Sequence, residues 1–189
     1  MQTSIFDVAA YIRSRSGPGL TAKKLQKLCF YSKAWSLAQT GDPLFPEQFQ
    51  AWADGPVSRE LFSTHRGCWY MPHGWSPGDP SHITDAQRKM LDAVMEAYQS
   101  MSGDQMGEMT HREAPWLDAR GETPPGASSD GLIQDGAIKR FYTKQALRGQ
   151  APPQVAATST RQAPQRSVAE SVERQLSRWA GVNQRLAPR

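Results

Sequence analysis

The chain has 189 residues, 38% of them hydrophobic and 21% charged, with a net charge of +4; that is room for one ordinary domain and an appendage. A domain of this length buries a core without staples, and its two cysteines, Cys29 and Cys68, lack the spacing of a disulfide framework, which favours a reducing cytoplasm. No run approaches the roughly 20 apolar residues of a membrane span, and the opening MQTSIFDVAAYIRSRSG is too polar for a signal peptide.

A first helix is predicted over residues 5–15, with Ile5, Val8 and Ile12 on one face and Thr3 or Ser4 as its cap. The turn GPG at 17–19 ends it. Thr21 then caps a second helix that runs to about Gln39 and closes at Gly41. Its apolar positions, from Leu25 to Ala38, cover most of the circumference, the pattern of a central buried helix. Its polar start (Lys23, Lys24, Gln26, Lys27) is expected to face solvent. FQAWA at 49–53 reads as a short strand or extended segment, and a third helix is expected from about Val57 to His65, with Pro56 just before it. Trp35 and Trp52 are expected in the core.

Residues 67–82, GCWYMPHGWSPGDPSH, hold three Pro, three Gly and three large aromatics and read as a variable surface loop. Trp69, Tyr70 and Trp75 in that loop serve either local packing or an interface. Thr84 to Gln87 is a capping box that opens a fourth helix to about Ser102, with Met90, Leu91, Val94, Met95 and Tyr98 inward. Gly103 is expected to close it and Asp104 to cap a short helix carrying Met106 and Met109. After a Pro/Gly/Ser loop at 121–131, a last body helix covers about 136–147, with Ile138, Phe141 and Tyr142 inward.

Beyond it the composition changes. Residues 149–166 read as a Pro/Gln/Ala-rich linker. Residues 167–189 read as a basic amphipathic helix opened by the capping box Ser167–Glu170, with Val168, Val172, Leu176, Trp179, Val182 and Leu186 in one stripe. Residues 151–189 hold six Arg against two Glu, so they carry the whole +4 and residues 1–150 balance to zero. The body therefore has no electrostatic footprint for nucleic acid. The arginine-only tail suits nucleic acid or an acidic protein groove equally.

The candidate chemical sites are few. THREAPW at 110–116 places His111 and Glu113 as H-x-E, the opening of a zinc deaminase signature, but that chemistry needs two further thiolates and no C-x-x-C exists. His65, Cys68, His73 and His82 offer zinc-ligand chemistry in spacings that match no recurring finger, and are expected in surface loop. Cys29 lies on a core face and reads as structural. No phosphate loop, nucleophile elbow or H-E-x-x-H occurs. THREAPW is thus expected to be scaffold: Pro115 presets the first turn of a short helix, Trp116 anchors it, and His111 and Glu113 satisfy nearby backbone groups.

Four blocks, LTAKKLQKLCFYSKAWSLAQTGDPLF, AWADGPVSRELF, GDQMGEMTHREAPWLDARG and DGAIKRFY, together resemble the Panacea antitoxin family (SocA-like, with the phage-associated protein GepA) over roughly residues 5–145. The K-L-Q-K-L block falls on Lys24, Leu25, Lys27 and Leu28, with Tyr31 and Trp35 following. The A-W-x-x-G-P-V block falls on Trp52, Gly55, Pro56 and Val57, and H-x-E-x-P-W on His111, Glu113, Pro115 and Trp116. Phe30 stands where the family usually has Tyr, and so does Phe62. The resemblance implies a mainly α, single helical domain of about six helices, with room for one short strand pair, over residues 1–148. It implies a non-enzymatic protein without cofactor or metal that neutralises a toxin encoded beside it, or an adaptor that delivers its partner to a AAA+ protease. A nucleic-acid-binding autorepressor acting through the tail and an undetected enzyme are the other classes. Trp69, Tyr70, Trp75 and the tail positions Val172, Leu176, Trp179 and Leu186 are the candidate partner-binding residues.

Overall fold

The computed structural model describes residues 2–158; the predicted tail helix and its stripe (Val172, Leu176, Trp179, Leu186) lie outside the described residues. The described part is mainly α, as expected. Its order is α1 (Ile5–Arg15), α2 (Ala22–Thr40), β1 (Phe49–Trp52), β2 (Gly55–Val57), α3 (Arg59–His65), a single 3-10 turn (Pro80–His82), α4 (Asp85–Tyr98), α5 (Gly103–Thr110), α6 (Ala114–Arg120), β3 (Leu132–Ile133), α7 (Asp135–Leu147) and α8 (Pro153–Thr158). No helix among the described residues is long and apolar enough to cross a membrane.

Local chemistry sets the helix ends. Ser4 closes a capping box with Asp7 on α1, and Thr84 closes one with Gln87 on α4. Thr21 caps α2 through the Lys24 N–H, and Gly41, at φ +87°, ends it in the left-handed region that glycine enters freely. One end was misread. Ser102, not Asp104, caps α5, in a capping box with Gln105, and Gly103 is that helix's first residue rather than the stop of α4. A hydroxyl three residues before a glutamine outcompetes a glycine as the local signal.

α2 runs through the centre and packs against α1, α4, α5, α7 and β2. Around it, Phe30, Tyr31, Trp35, Phe49, Tyr98 and Tyr142 share one aromatic core; Tyr31 stacks on Tyr98 at 4.5 Å, and Trp35 meets Tyr142 edge-on at 5.0 Å. These offset and edge-to-face contacts add to the burial of large rings. The predicted strand pair is a three-stranded antiparallel sheet, ordered β2-β1-β3. Val57 pairs with Gln50 in the sheet, so α3 begins only at Arg59, capped by Ser58.

The expectation that the start of α2 faces solvent is overturned for Gln26 and Lys27, both buried. Their polar ends are spent on backbone that the sequence places some thirty residues away. The Gln26 carboxamide accepts from the Ser58 N–H at 3.0 Å and donates to the Ser58 carbonyl at 3.3 Å, and Lys27 Nζ donates to the Pro56 carbonyl at 3.0 Å. Lys33, also buried, donates to the Glu47 carbonyl and pairs with Asp135, both at 2.8 Å. Buried polar groups are tolerated when they are bonded in this way. Trp52, expected in the core, is only half-buried; it stands at the hairpin end, opposite Gly55. The segment read as linker from residue 149 holds α8, whose Val155 is buried and accepts from the Gln39 amide.

Gly55 shows why the hairpin end needs glycine. Its φ is +95°, and a Cβ there would lie 2.7 Å from Thr110 Oγ1 and 2.9 Å from Lys27 Cε. Gly55→Ala is expected to cost about 2–4 kcal/mol, overpacking added to backbone strain. Gly67→Ala, at φ +84° with open space around it, should cost only the backbone part, about 1–2 kcal/mol. Urea denaturation of the two variants checks this; equal losses would mean that the Gly55 site is not tight.

Candidate partner-binding site

The first turns of α2, the β1–β2 hairpin, α3 and the turn after it enclose a groove of about 300 Å³. Its lining combines the predicted scaffold residues Lys27, Trp52 and Val57 with Phe62, His65 and Trp69. Trp52 and Phe62 form an edge-to-face pair at 5.0 Å, and Phe62 meets His65 at 5.5 Å, so one wall is aromatic throughout. The polar groups of the floor are bonded within the protein. His65 Nε2 sits 2.9 Å from Gln26 Nε2, a contact that lets the neutral ring accept, and burial holds His65 below its ordinary pKa, in the neutral form. Lys27 Nζ is bound to the Pro56 carbonyl, and burial, with the Lys23 charge adding, pushes its ammonium down to about 7. On the rim, Lys23 Nζ lies 3.2 Å from Asp54 Oδ1 and 2.7 Å from Asp104 Oδ1.

THREAPW supports this groove from behind. The Trp116 indole N–H donates to the Trp52 carbonyl at 3.1 Å, and its ring packs with the His111 ring, centroids 4.4 Å apart, and with the Arg120 guanidinium at 5.0 Å. Pro115 stands in the first turn of α6, as predicted. The expected backbone role of Glu113 is corrected: it makes no side-chain cap, and its carboxylate accepts from the hydroxyls of Tyr142 at 2.6 Å and Tyr31 at 3.2 Å. His111 likewise uses its ring on Trp116 and sits 3.8 Å from Glu108 rather than on backbone. Tyrosine hydroxyls reach a carboxylate more readily than a helix's own amides do once the carboxylate points inward, and no spacing within the motif reveals that.

Lys24 joins α2 to the end of α4 through the Gln99 carbonyl at 2.8 Å, and Leu25, Leu28, Tyr31 and Trp35 are core. The zinc-type residues, expected in surface loop, divide: His65 is instead buried at the end of α3, with the Cys68 N–H on its carbonyl at 2.9 Å. His65 faces Gln26, His82 lies 3.3 Å from Asp7, and His73 is exposed. No group of three metal-ligating side chains forms among the described residues. Burial raises the Cys29 thiol far above its ordinary pKa, which suits a packed side chain rather than a nucleophile.

Residues 25–117 match the model of a family described as antitoxin SocA-like, Panacea domain. The chain carries a Panacea domain. The matched stretch begins in the K-L-Q-K-L block and ends just past H-x-E-x-P-W; α1 and DGAIKRFY lie outside it. No curated protein and no solved structure matches the chain. Within the Panacea domain, the loop aromatics divide. Trp75 donates to the Thr64 carbonyl at 3.2 Å and packs beside the core. Trp69 and Tyr70 are 73% and 57% exposed although their backbone is fixed, the Trp69 carbonyl accepting from the Ala22 N–H at 3.0 Å. Phe62, Asp54 and Asp104 join the groove without having been singled out as site residues. The short aromatic run FQAWA, read as a strand or extended segment, was the signal for the hairpin that carries Asp54.

Proposed function

We propose that this protein is a cytoplasmic, non-enzymatic antitoxin that neutralises a toxin encoded beside it by direct protein–protein binding. The match to an antitoxin-like domain supports the reading, and one observation carries it. The motif residues with chemical potential are spent inside the fold, Glu113 on two tyrosines and Lys27 on a carbonyl, while Trp69 and Tyr70 stand exposed on a backbone bonded to the start of α2. A fixed, exposed aromatic pair contributes contact area at low entropic cost and is typical of interface anchors. The tail stripe Val172, Leu176, Trp179 and Leu186 is a second contact in this reading, adding its basic face to the toxin's surface.

Co-expression with the neighbouring open reading frame tests it. The pair is expected to grow where the neighbour alone arrests growth, and the two proteins to co-purify. In the full chain, Leu176→Asp and Trp179→Ala are each expected to weaken binding about tenfold or more, as hot-spot residues do. Rescue without a complex, or rescue that disappears when the cell's AAA+ proteases are deleted, would replace neutralisation by binding with delivery for degradation. Unchanged affinity in both tail variants would confine recognition to the Panacea domain.

A further inference from the structure

We propose that the groove beside Trp69 receives a bulky apolar side chain from the partner protein, while a lysine or arginine of the same segment meets Asp54 and Asp104 on the rim. This rests on the reading of the chain as a protein-binding antitoxin and names the chemistry it would recognise. Three observations lead to it.

The size is right for a side chain. About 300 Å³ lies at the bottom of the roughly 300–1,000 Å³ range of small-molecule sites. The walls, Trp52, Phe62 and Val57, are apolar, and both rings are only half-buried in the free chain. Filling the slot removes their remaining apolar surface from water.

The polar atoms beneath are largely bonded within the protein. Gln26 and His65 bond each other, Gln26 also bonds Ser58, and the Lys27 amine is held by Pro56. A sugar or nucleotide would bring many polar groups to a slot with apolar walls whose Gln26, His65 and Ser58 groups are already bonded to one another, leaving the remaining N–H groups of Lys27 to meet them, and unpaired buried polar groups are costly.

The rim carries a surplus of negative charge. Asp54 and Asp104 share one ammonium, that of Lys23, and their side chains remain 75% and 76% exposed. The two carboxylates also act on buried Lys27, whose charge burial disfavours, and their exposed oxygens beside an apolar slot complement a cationic neighbour of the inserted side chain.

The first test uses one ring with three charges. Tryptamine, N-acetyltryptophanamide and indole-3-acetate are titrated into the ¹⁵N-labelled full chain. The indole N–H signals of Trp52 and Trp69 are expected to shift, with tryptamine binding about threefold tighter than the neutral compound, the scale of an exposed charge pair, and indole-3-acetate weakest. Asp54→Asn combined with Asp104→Asn should abolish that order. Absence of shifts at Trp52 and Trp69, or binding of the anion as tight as that of the cation, overturns the proposal. The second test measures the full chain against the neighbour-encoded protein. Cys68→Trp, which fills the slot from its edge, and Trp69→Ala, at an exposed position, are each expected to weaken that complex about tenfold or more at unchanged melting temperature. Wild-type affinity in Trp69→Ala together with a folded Cys68→Trp places the interface elsewhere and overturns the proposal. If the unaltered chain does not bind that protein at all, the antitoxin reading fails, and the indole series still decides whether the groove takes an apolar cationic group.

Discussion

Trp116→Ala is expected to destabilise the protein by about 3–5 kcal/mol, the range for truncating a buried tryptophan, which lowers the melting temperature by on the order of 10 °C in a domain of this size. The indole is buried and its N–H holds the Trp52 carbonyl at the end of β1. Its loss also uncovers Arg120, a buried cation that ties down the carbonyls of Ala51, Pro124 and Ala127. Trp116→Phe keeps most of the packing but leaves the Trp52 carbonyl unpaired, and should cost about 1–3 kcal/mol. Calorimetry on the three proteins, beside their affinity for the neighbour-encoded partner, separates support from contact. An unchanged melting temperature with lost binding would make Trp116 a contact residue and sink the scaffold reading of THREAPW.

Stability is expected to fall between about pH 4.5 and pH 7 and to recover above it, because two buried groups titrate in opposite senses. Burial pushes the Glu113 carboxyl up to about 7, against the pull of the Tyr142 and Tyr31 hydroxyls. The folded chain therefore holds this proton more tightly than the unfolded chain, whose carboxyl titrates near 4.3. The resulting stabilisation is complete below that value and is lost as pH rises through about 7. Lys27 behaves inversely. Burial pushes its ammonium down to about 7, so folding is penalised below that pH and the penalty lifts as pH rises toward 10.4, its ordinary value. Glu113→Gln keeps acceptor geometry for the tyrosines without a charge. It is expected to match the natural protein near pH 4.5 and to exceed it at pH 8 by on the order of 2–3 kcal/mol. Urea denaturation from pH 4.5 to 8.5 checks the sign; parallel curves for the two proteins would show that Glu113 ionises freely in the fold.

The residues that carry the local signals were readable in order. Hydroxyls at Ser4, Thr21 and Thr84 start helices because they bond amides three residues on, and Gly41 and Pro115 mark a stop and a first turn because of their own backbone limits. Each of these effects acts within one turn of chain, so the sequence contains both partners. The apolar circumference of α2 likewise announced a central helix, because burial on all sides needs apolar side chains on all sides. The H-x-E-x-P-W block was legible as a helix junction because Pro115 presets a first turn.

What the tertiary structure decided was the fate of polar side chains whose partners are distant. Gln26 and Lys27 read as solvent-facing and are buried, since Ser58 and Pro56 come to meet them, and Lys33 is buried against Glu47 and Asp135. Glu113 reads as a local cap and is the acceptor for Tyr31 and Tyr142, 82 and 29 residues away. His65, Cys68, His73 and His82 are near in sequence, yet no three of them come together as metal ligands among the described residues. The groove is assembled from the starts of α2 and α5, the hairpin, α3 and the Trp69 turn. A polar side chain's cost of burial is set by whichever donor or acceptor the fold delivers to it, and delivery over long sequence separations depends on packing, which no local pattern encodes.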